Sequence, residues 1–224
     1  MMKRAIACLV FAAFFALPAL AAAETMGVYV APRLLLGFQH TGTTNIGDEA
    51  KSGYENTFGG ALAVGYNFAS SFRLPLRAEL EYSYRSEAEE KASVDHATPK
   101  YDMKHKMSIS TLLLNAYYDI DTGTAFTPYF GIGFGMAFVD NKWSAESSGG
   151  KELGSGSASG SSFAHSLGLG VSYAFTENVA ADLGYRYIGA GYHDGKYKEN
   201  GGEEWKIGSF PTIHEIYLGA RITF

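Results

Sequence analysis

Ten charged residues carry the most regular chemical pattern in the sequence: Arg33, Arg77, Arg85, Arg186 and Arg221 with Glu79, Glu81, Asp119, Asp182 and Glu215. Where several share a segment they stand at even separations, as in Arg77-x-Glu79-x-Glu81-x-Ser83-x-Arg85. Residues two apart share one face of a strand. Five guanidinium groups against five carboxylates in a confined interior imply an interlocked ion-pair network, because an unpaired charge there is costly. The competing use of the same set is the lining of a charged channel. Nucleophilic chemistry has one starting point, His165-Ser166, but neighbours on a strand face opposite sides and cannot form a nucleophile–base pair. Asp95-His96 and His193-Asp194 fall in polar connecting segments and read as solvated residues rather than a protease site. The six histidines, at 40, 96, 105, 165, 193 and 214, show no metal-ligand spacing. His165 and His214 fall on an apolar strand face near its end, where an interfacial position accounts for them. No catalytic, metal or cofactor site is therefore expected.

The elements that must position these charges are strands. In His-Glu-Ile-Tyr-Leu-Gly-Ala-Arg-Ile-Thr-Phe (214–224), Ile216, Leu218, Ala220, Ile222 and Phe224 alternate with Glu215, Tyr217, Gly219, Arg221 and Thr223. One face is apolar and the other carries charge. Seven further segments read the same way: 26–38, 58–68, 74–86, 105–120, 126–139, 162–175 and 179–190. The clearest is 126–139, where Phe130, Ile132, Phe134, Met136 and Phe138 alternate with Gly131, Gly133, Gly135 and Ala137. Eight strands are separated by short turns at 69–73, 121–125 and 176–178 and by long polar connections at 39–57, 87–104, 140–161 and 191–210. Short on one side and long on the other is the asymmetry of a transmembrane barrel, with periplasmic turns and extracellular loops.

A soluble eight-stranded barrel would also alternate, with its apolar face turned inward. Here the face opposite the apolar one is largely Gly, Ala and Ser with single charges among them, which suits a narrow lumen rather than a watered surface. Tyr66, Phe68, Tyr118, Tyr173 and Phe175 gather at the short-turn ends of the apolar face as an interfacial girdle. Lipid belongs on the outside. Eight strands enclose little more than their own side chains, whereas open aqueous pores need about sixteen.

Residues 1–23 stand apart. Lys3 and Arg4 precede the apolar run 5–17, then Pro18 and Ala19-Leu20-Ala21-Ala22-Ala23, the form of a secretory signal cut after Ala21 or Ala23. That leaves 24–224 as the barrel domain. Cys8, the single cysteine, leaves with the leader, so disulfide and thiol chemistry leave too. The mature chain holds 16 basic against 23 acidic residues, a net charge of −7, which argues against nucleic acid as a partner. Segment 140–161, with Gly154-Ser155-Gly156-Ser157-Ala158-Ser159-Gly160, reads as a flexible low-complexity loop. Trp143 and Trp205, the only tryptophans, fall one in each of two long connections. There they could contact a partner or rest at lipid headgroups.

Val28–Gly37, Leu112–Asp119 with its Asn-Ala-Tyr-Tyr-Asp core, Thr127–Gly135, Asp182–Ile188 and Glu215–Phe224 together resemble the opacity-type outer-membrane barrel family. That family is similar to the membrane domain of outer-membrane protein A. The resemblance implies an all-β, eight-stranded antiparallel up-and-down barrel in the outer membrane of a Gram-negative bacterium. It also implies insertion by the barrel assembly machinery, which would read Leu218, Ile222 and the terminal Phe224. Family members serve as adhesins, immune-evasion proteins or envelope-stabilising proteins, so a host or matrix surface ligand is the partner implied beside membrane lipids. Two departures from the family pattern are expected: no periplasmic peptidoglycan-binding domain after Phe224, and loops shorter than those of strongly variable adhesins. The resulting expectation is a non-enzymatic surface protein that presents four loops on a closed scaffold. A small-solute channel is the alternative, and a lipid A-modifying enzyme a distant third.

Overall fold

The computed structural model describes residues 27–40, 43–44, 54–94, 101–147, 152–198 and 204–224; the leader and Asp95-His96 lie outside them. Eight strands form the barrel: β1 (Val28–His40), β3 (Tyr54–Asn67), β4 (Leu76–Arg85), β6 (Tyr101–Asp119), β7 (Phe126–Ser147), β8 (Glu152–Ala174), β9 (Val179–Gly189) and β12 (Thr212–Thr223). Four further strands, β2 (Thr43–Thr44), β5 (Ala88–Val94), β10 (His193–Lys198) and β11 (Glu204–Ser209), stand at the loop end. Around the wall the order is β4-β3-β1-β12-β9-β8-β7-β6, every pair is antiparallel, and β4 pairs with β6 to close the ring. Closure leaves no edge, which is what a strand protein needs where no water can satisfy a free backbone group. Among the described residues no helix is long and apolar enough to cross a membrane.

Side chains follow the two-residue period. Leu34, Leu80, Ile132, Phe134, Leu167, Leu169 and Leu218 are all more than half exposed, while Tyr29, Ala31, Ala63, Leu113 and Tyr217 face inward and are buried. The short-turn end is tightly built. In α1 (Phe68–Phe72) the Asn67 side chain accepts from the Ala69 amide at 3.0 Å, and Arg73 closes the helix in a left-handed conformation, φ 55°. Between β6 and β7, Asp121 Oδ1 accepts from the amide of Gly123, whose φ of 67° suits a residue without a β-carbon. The chain's end is tied in: the amide of Phe224 donates to the Val28 carbonyl at 2.9 Å. Aromatic rings meet edge-on or tilted in a belt at this end, Tyr66 with Phe68 at 4.9 Å, Phe126 with Tyr173 at 4.8 Å and Tyr173 with Phe175 at 5.0 Å.

The long connections differ from the loops that the sequence suggests. β7 runs on to Ser147 and β8 starts at Glu152, so most of 140–161 is a ladder rather than a flexible loop. Pairing likewise extends into 87–104, where β5 pairs with β6 from Tyr101 to Met107, and into 191–210, where β10 pairs antiparallel with β11 and β11 with β2. The Gly-Ser alternation of 154–160 hides a strand because it lacks large apolar residues. Above the lipid belt no apolar face is needed, and pairing with a strong neighbour is enough to satisfy the backbone.

Candidate functional site: the lumen and the outer rim

The lumen is built from inward positions of all eight barrel strands. β4 supplies Arg77, Glu79, Glu81, Ser83 and Arg85, β1 supplies Arg33, β6 Asp119, β9 Asp182 and Arg186, and β12 Glu215 and Arg221. Eight of these ten form one chain of alternating charge. Arg85 Nε meets Glu215 Oε2 at 2.6 Å, and Glu215 Oε1 accepts from Arg186 Nε at 2.7 Å. Arg186 Nη1 reaches Glu81 Oε1 at 2.7 Å, Glu81 pairs with Arg33, and Arg33 Nη2 grips both oxygens of Glu79 at 2.7 and 2.8 Å. Glu79 lies 3.9 Å from Arg77, which donates from Nε and Nη2 to Asp119 at 2.7 and 2.8 Å. Asp182 and Arg221 stand off from this chain. They lie 3.6 Å apart, and Arg221 donates instead to Ser172 Oγ at 2.6 Å.

Two components of the lumen go beyond a lining of small residues and ions, although alternation alone sets Tyr217 on the inward face. The first is four tyrosines. Arg77 lies over the rings of Tyr117 and Tyr129 at 4.9 and 5.0 Å, Arg33 and Arg186 over Tyr217 at 5.3 and 5.4 Å, and Arg221 over Tyr29 at 5.7 Å. Tyr29 donates to Glu79 at 2.9 Å, and the hydroxyls of Tyr129 and Tyr217 meet at 3.0 Å. Stacking on a ring face and hydrogen bonding together hold a desolvated guanidinium in place. Each tyrosine stands directly across the ladder from a glycine, in the pairs Tyr29–Gly65, Tyr117–Gly131, Tyr129–Gly170 and Tyr217–Gly184. The ring folds over the space that a β-carbon would fill. The second is an apolar layer toward the loop end, where Met107, Ile109, Leu113, Val139, Ile188 and Ile213 pack with Ala137 and Ala164. Alternation marks these residues as inward, but register is needed to see that they share a level.

The remaining sequence candidates are scattered. His165 is exposed on the outer face while Ser166 is buried in the lumen, 3.5 Å from Asn115 Oδ1. His214 faces outward between Tyr185, whose hydroxyl lies 2.6 Å from Nδ1, and Tyr187. Trp143 holds the β7 position opposite Gly156 and His105, and Trp205 the β11 position opposite Tyr197. The side chains of Trp143, Trp205, His193 and Asp194 lie outside the described residues. At the rim, Lys142 donates to Glu87 at 2.8 Å and Lys106 pairs with Glu89 at 3.1 Å. The Lys142 hydrogen bond holds the Glu87 carboxyl below its ordinary value and raises the lysine in turn.

A closed antiparallel barrel with large apolar side chains around its outside and charges within is a transmembrane barrel. A watered surface does not carry so wide an apolar belt. The family model of the outer membrane protein beta-barrel domain matches residues 7–224, and the chain belongs to that family. It is similar to the outer membrane protein PagN of Salmonella typhimurium, 37% identical over 141 residues, which are 61% of this chain and 59% of PagN. The chain thus spans about three fifths of that relative's length. A Rickettsia canadensis protein named as a candidate adhesin is 26% identical over 148 residues, 66% of this chain and 65% of the relative. Among solved structures, OprG from Pseudomonas aeruginosa superposes with a TM-score of 0.52 at 16% identity, covering 89% of this chain and 98% of that one, which is a likeness of fold. The chain is therefore an outer-membrane β-barrel protein, and membrane lipid is its surroundings.

Proposed function

We propose that this barrel is a closed scaffold that presents its four long connections at the bacterial surface, in a structural or adhesive role rather than an enzymatic one. The observation that carries the proposal is the Glu81–Arg186 ion pair. β4 and β9 stand four places apart in a ring of eight, so this 2.7 Å contact crosses the full width of the lumen. A barrel filled at its midline offers a partner only what stands on its rim. The ten lumen charges then serve structure, holding opposite walls together. The rim is substantial: β7 and β8 stay paired past the lipid belt to Glu146 and Glu152. The name of the Rickettsia canadensis relative supports an adhesive role.

In this reading residues 1–23 are removed on export, Leu218, Ile222 and Phe224 form the signal read by the assembly machinery, and Trp143 and Trp205 are contacts offered to a host or matrix ligand. A small-solute channel would need a path past Glu81–Arg186. A lipid-modifying enzyme would need a nucleophile beside a base, and His165 and Ser166 stand on opposite sides of the wall. The test is loop replacement. Bacteria displaying the barrel with 41–53 and 141–158 exchanged for short turns should bind host cells or matrix about tenfold less than those displaying the full chain at equal surface level. Equal binding would refute adhesion through these segments.

A further inference from the structure

On the outer face of the wall, where β8, β9 and β12 reach the loop end, a groove of about 610 Å³ opens between Phe163, His165, Tyr187, Tyr192, Phe210 and Thr212. Its shape follows from the ladder. Pairing of β9 with β8 ends at Gly189–His165 and with β12 at Gly189–Thr212, and the chain then turns out of the wall. Gly191, φ 67°, makes that turn close against the Phe163 carbonyl, where a side chain would collide. Three links fix the frame: Ser162 Oγ donates to the Ala190 carbonyl, the Ala190 amide donates to Pro211 at 3.0 Å, and the rings of Tyr192 and Phe210 meet at 4.9 Å. The His165 ring covers Gly189 as the floor, and Tyr187 lies between it and His214, with ring centres 6.2 and 5.4 Å away. The groove is preformed, and the rings of Phe163, Tyr192 and Phe210 are each more than half exposed.

Along β8 the groove continues the lipid-facing row, since Leu167 and Leu169, both 62% exposed, stand below His165 on the same face. An occupant must be apolar where it meets Leu167 and polar where it meets His165, Thr212 and the Tyr187 hydroxyl. Aromatic faces suit the C–H faces of a sugar ring, and no carboxylate among the described residues lines the groove to repel an anion. We infer that this groove holds one molecule of an outer-leaflet glycolipid, with its phosphorylated amino-sugar headgroup against His165 and the rings and its acyl chains over Leu167 and Leu169. The inference rests on the reading that the loop end faces the cell exterior.

The experiment is native mass spectrometry of the barrel purified in mild detergent from Gram-negative cells, on chains that retain the compact folded band in unheated electrophoresis. Wild type is compared with His165→Ala, with the pair Tyr192→Ala and Phe210→Ala, and with Leu80→Ala on β4 as a lipid-facing control. Wild type and the control should carry about one glycolipid per barrel, and both groove variants about fivefold less. Equal glycolipid on all four chains would overturn the site while leaving the orientation intact. Groove-dependent retention of phospholipid alone would overturn the glycolipid assignment and the outward orientation together.

Discussion

Glu81 and Arg186 stand on directly opposed strands of the barrel, and their side chains meet at 2.7 Å in its middle. Neither group can find water there; both side chains are 5% exposed or less. Arg186 also serves Glu215, so removing the guanidinium takes one of two arginine partners from each of two buried carboxylates, leaving Glu81 with Arg33 and Glu215 with Arg85. Breaking a buried pair by deleting one partner costs roughly 3–5 kcal/mol. Arg186→Met should lower stability by about that amount in urea titrations of the barrel in lipid vesicles. A loss within about 0.5 kcal/mol of zero, as for an exposed pair, would remove the network from the account of what holds the barrel closed.

The tyrosine–glycine pairs make a graded prediction. A β-carbon on Gly184 would overlap the Tyr217 ring, whereas one on Gly60 would meet only the Arg33 carbonyl, at 3.6 Å. Overfilling a packed interior costs about 1–3 kcal/mol. Gly184→Ala should therefore be destabilising by that amount and Gly60→Ala close to neutral, read from the same unfolding curves. Equal effects would show that the ring does not depend on the missing side chain.

The apolar layer and the ion pairs close the lumen at different levels, so they should fail independently. Ile188→Ala opens a cavity among Ile213, Ile109 and Val139, and truncations of this kind cost about 2–5 kcal/mol. It should lower stability without producing current across a bilayer, because Glu81–Arg186 still spans the lumen below. Current from this variant alone would identify the apolar layer as the seal.

At the rim, Glu87 and Lys142 are both exposed, and their pairing is local. The carboxyl is held low, so its contribution is present above the ordinary carboxylate range and is lost as pH falls through the depressed value. The amine is held high, so its contribution is present below the ordinary lysine range and is lost as pH rises through the raised value. Lys142→Met should move the Glu87 titration, followed by carboxyl carbon shifts in micelles, back up toward the usual value and leave global unfolding unchanged. An unmoved titration would dissolve the pair.

Much of the wall is legible in the sequence. The alternation of 126–139 and 214–224 assigns each side chain to a face, and Arg77, Glu79, Glu81 and Arg85 fall on one face by parity alone. The partners were not legible. Arg85 meets Glu215 across 130 residues of chain, and no local spacing encodes a contact made through the lumen. Tyr217 over Gly184 requires register as well as parity. The β7–β8 ladder within 140–161 is hidden because Gly and Ser obscure a strand that takes its order from its neighbour.

The claim that the lumen is shut can be tested directly by recording current through the purified full-length barrel in planar bilayers. A flat trace with no reproducible steps is predicted, because ion pairs stacked on tyrosines fill the bore and an apolar layer fills it toward the loop end. Uniform, repeatable single-channel steps from wild-type protein would contradict it and return the barrel to the class of solute channels.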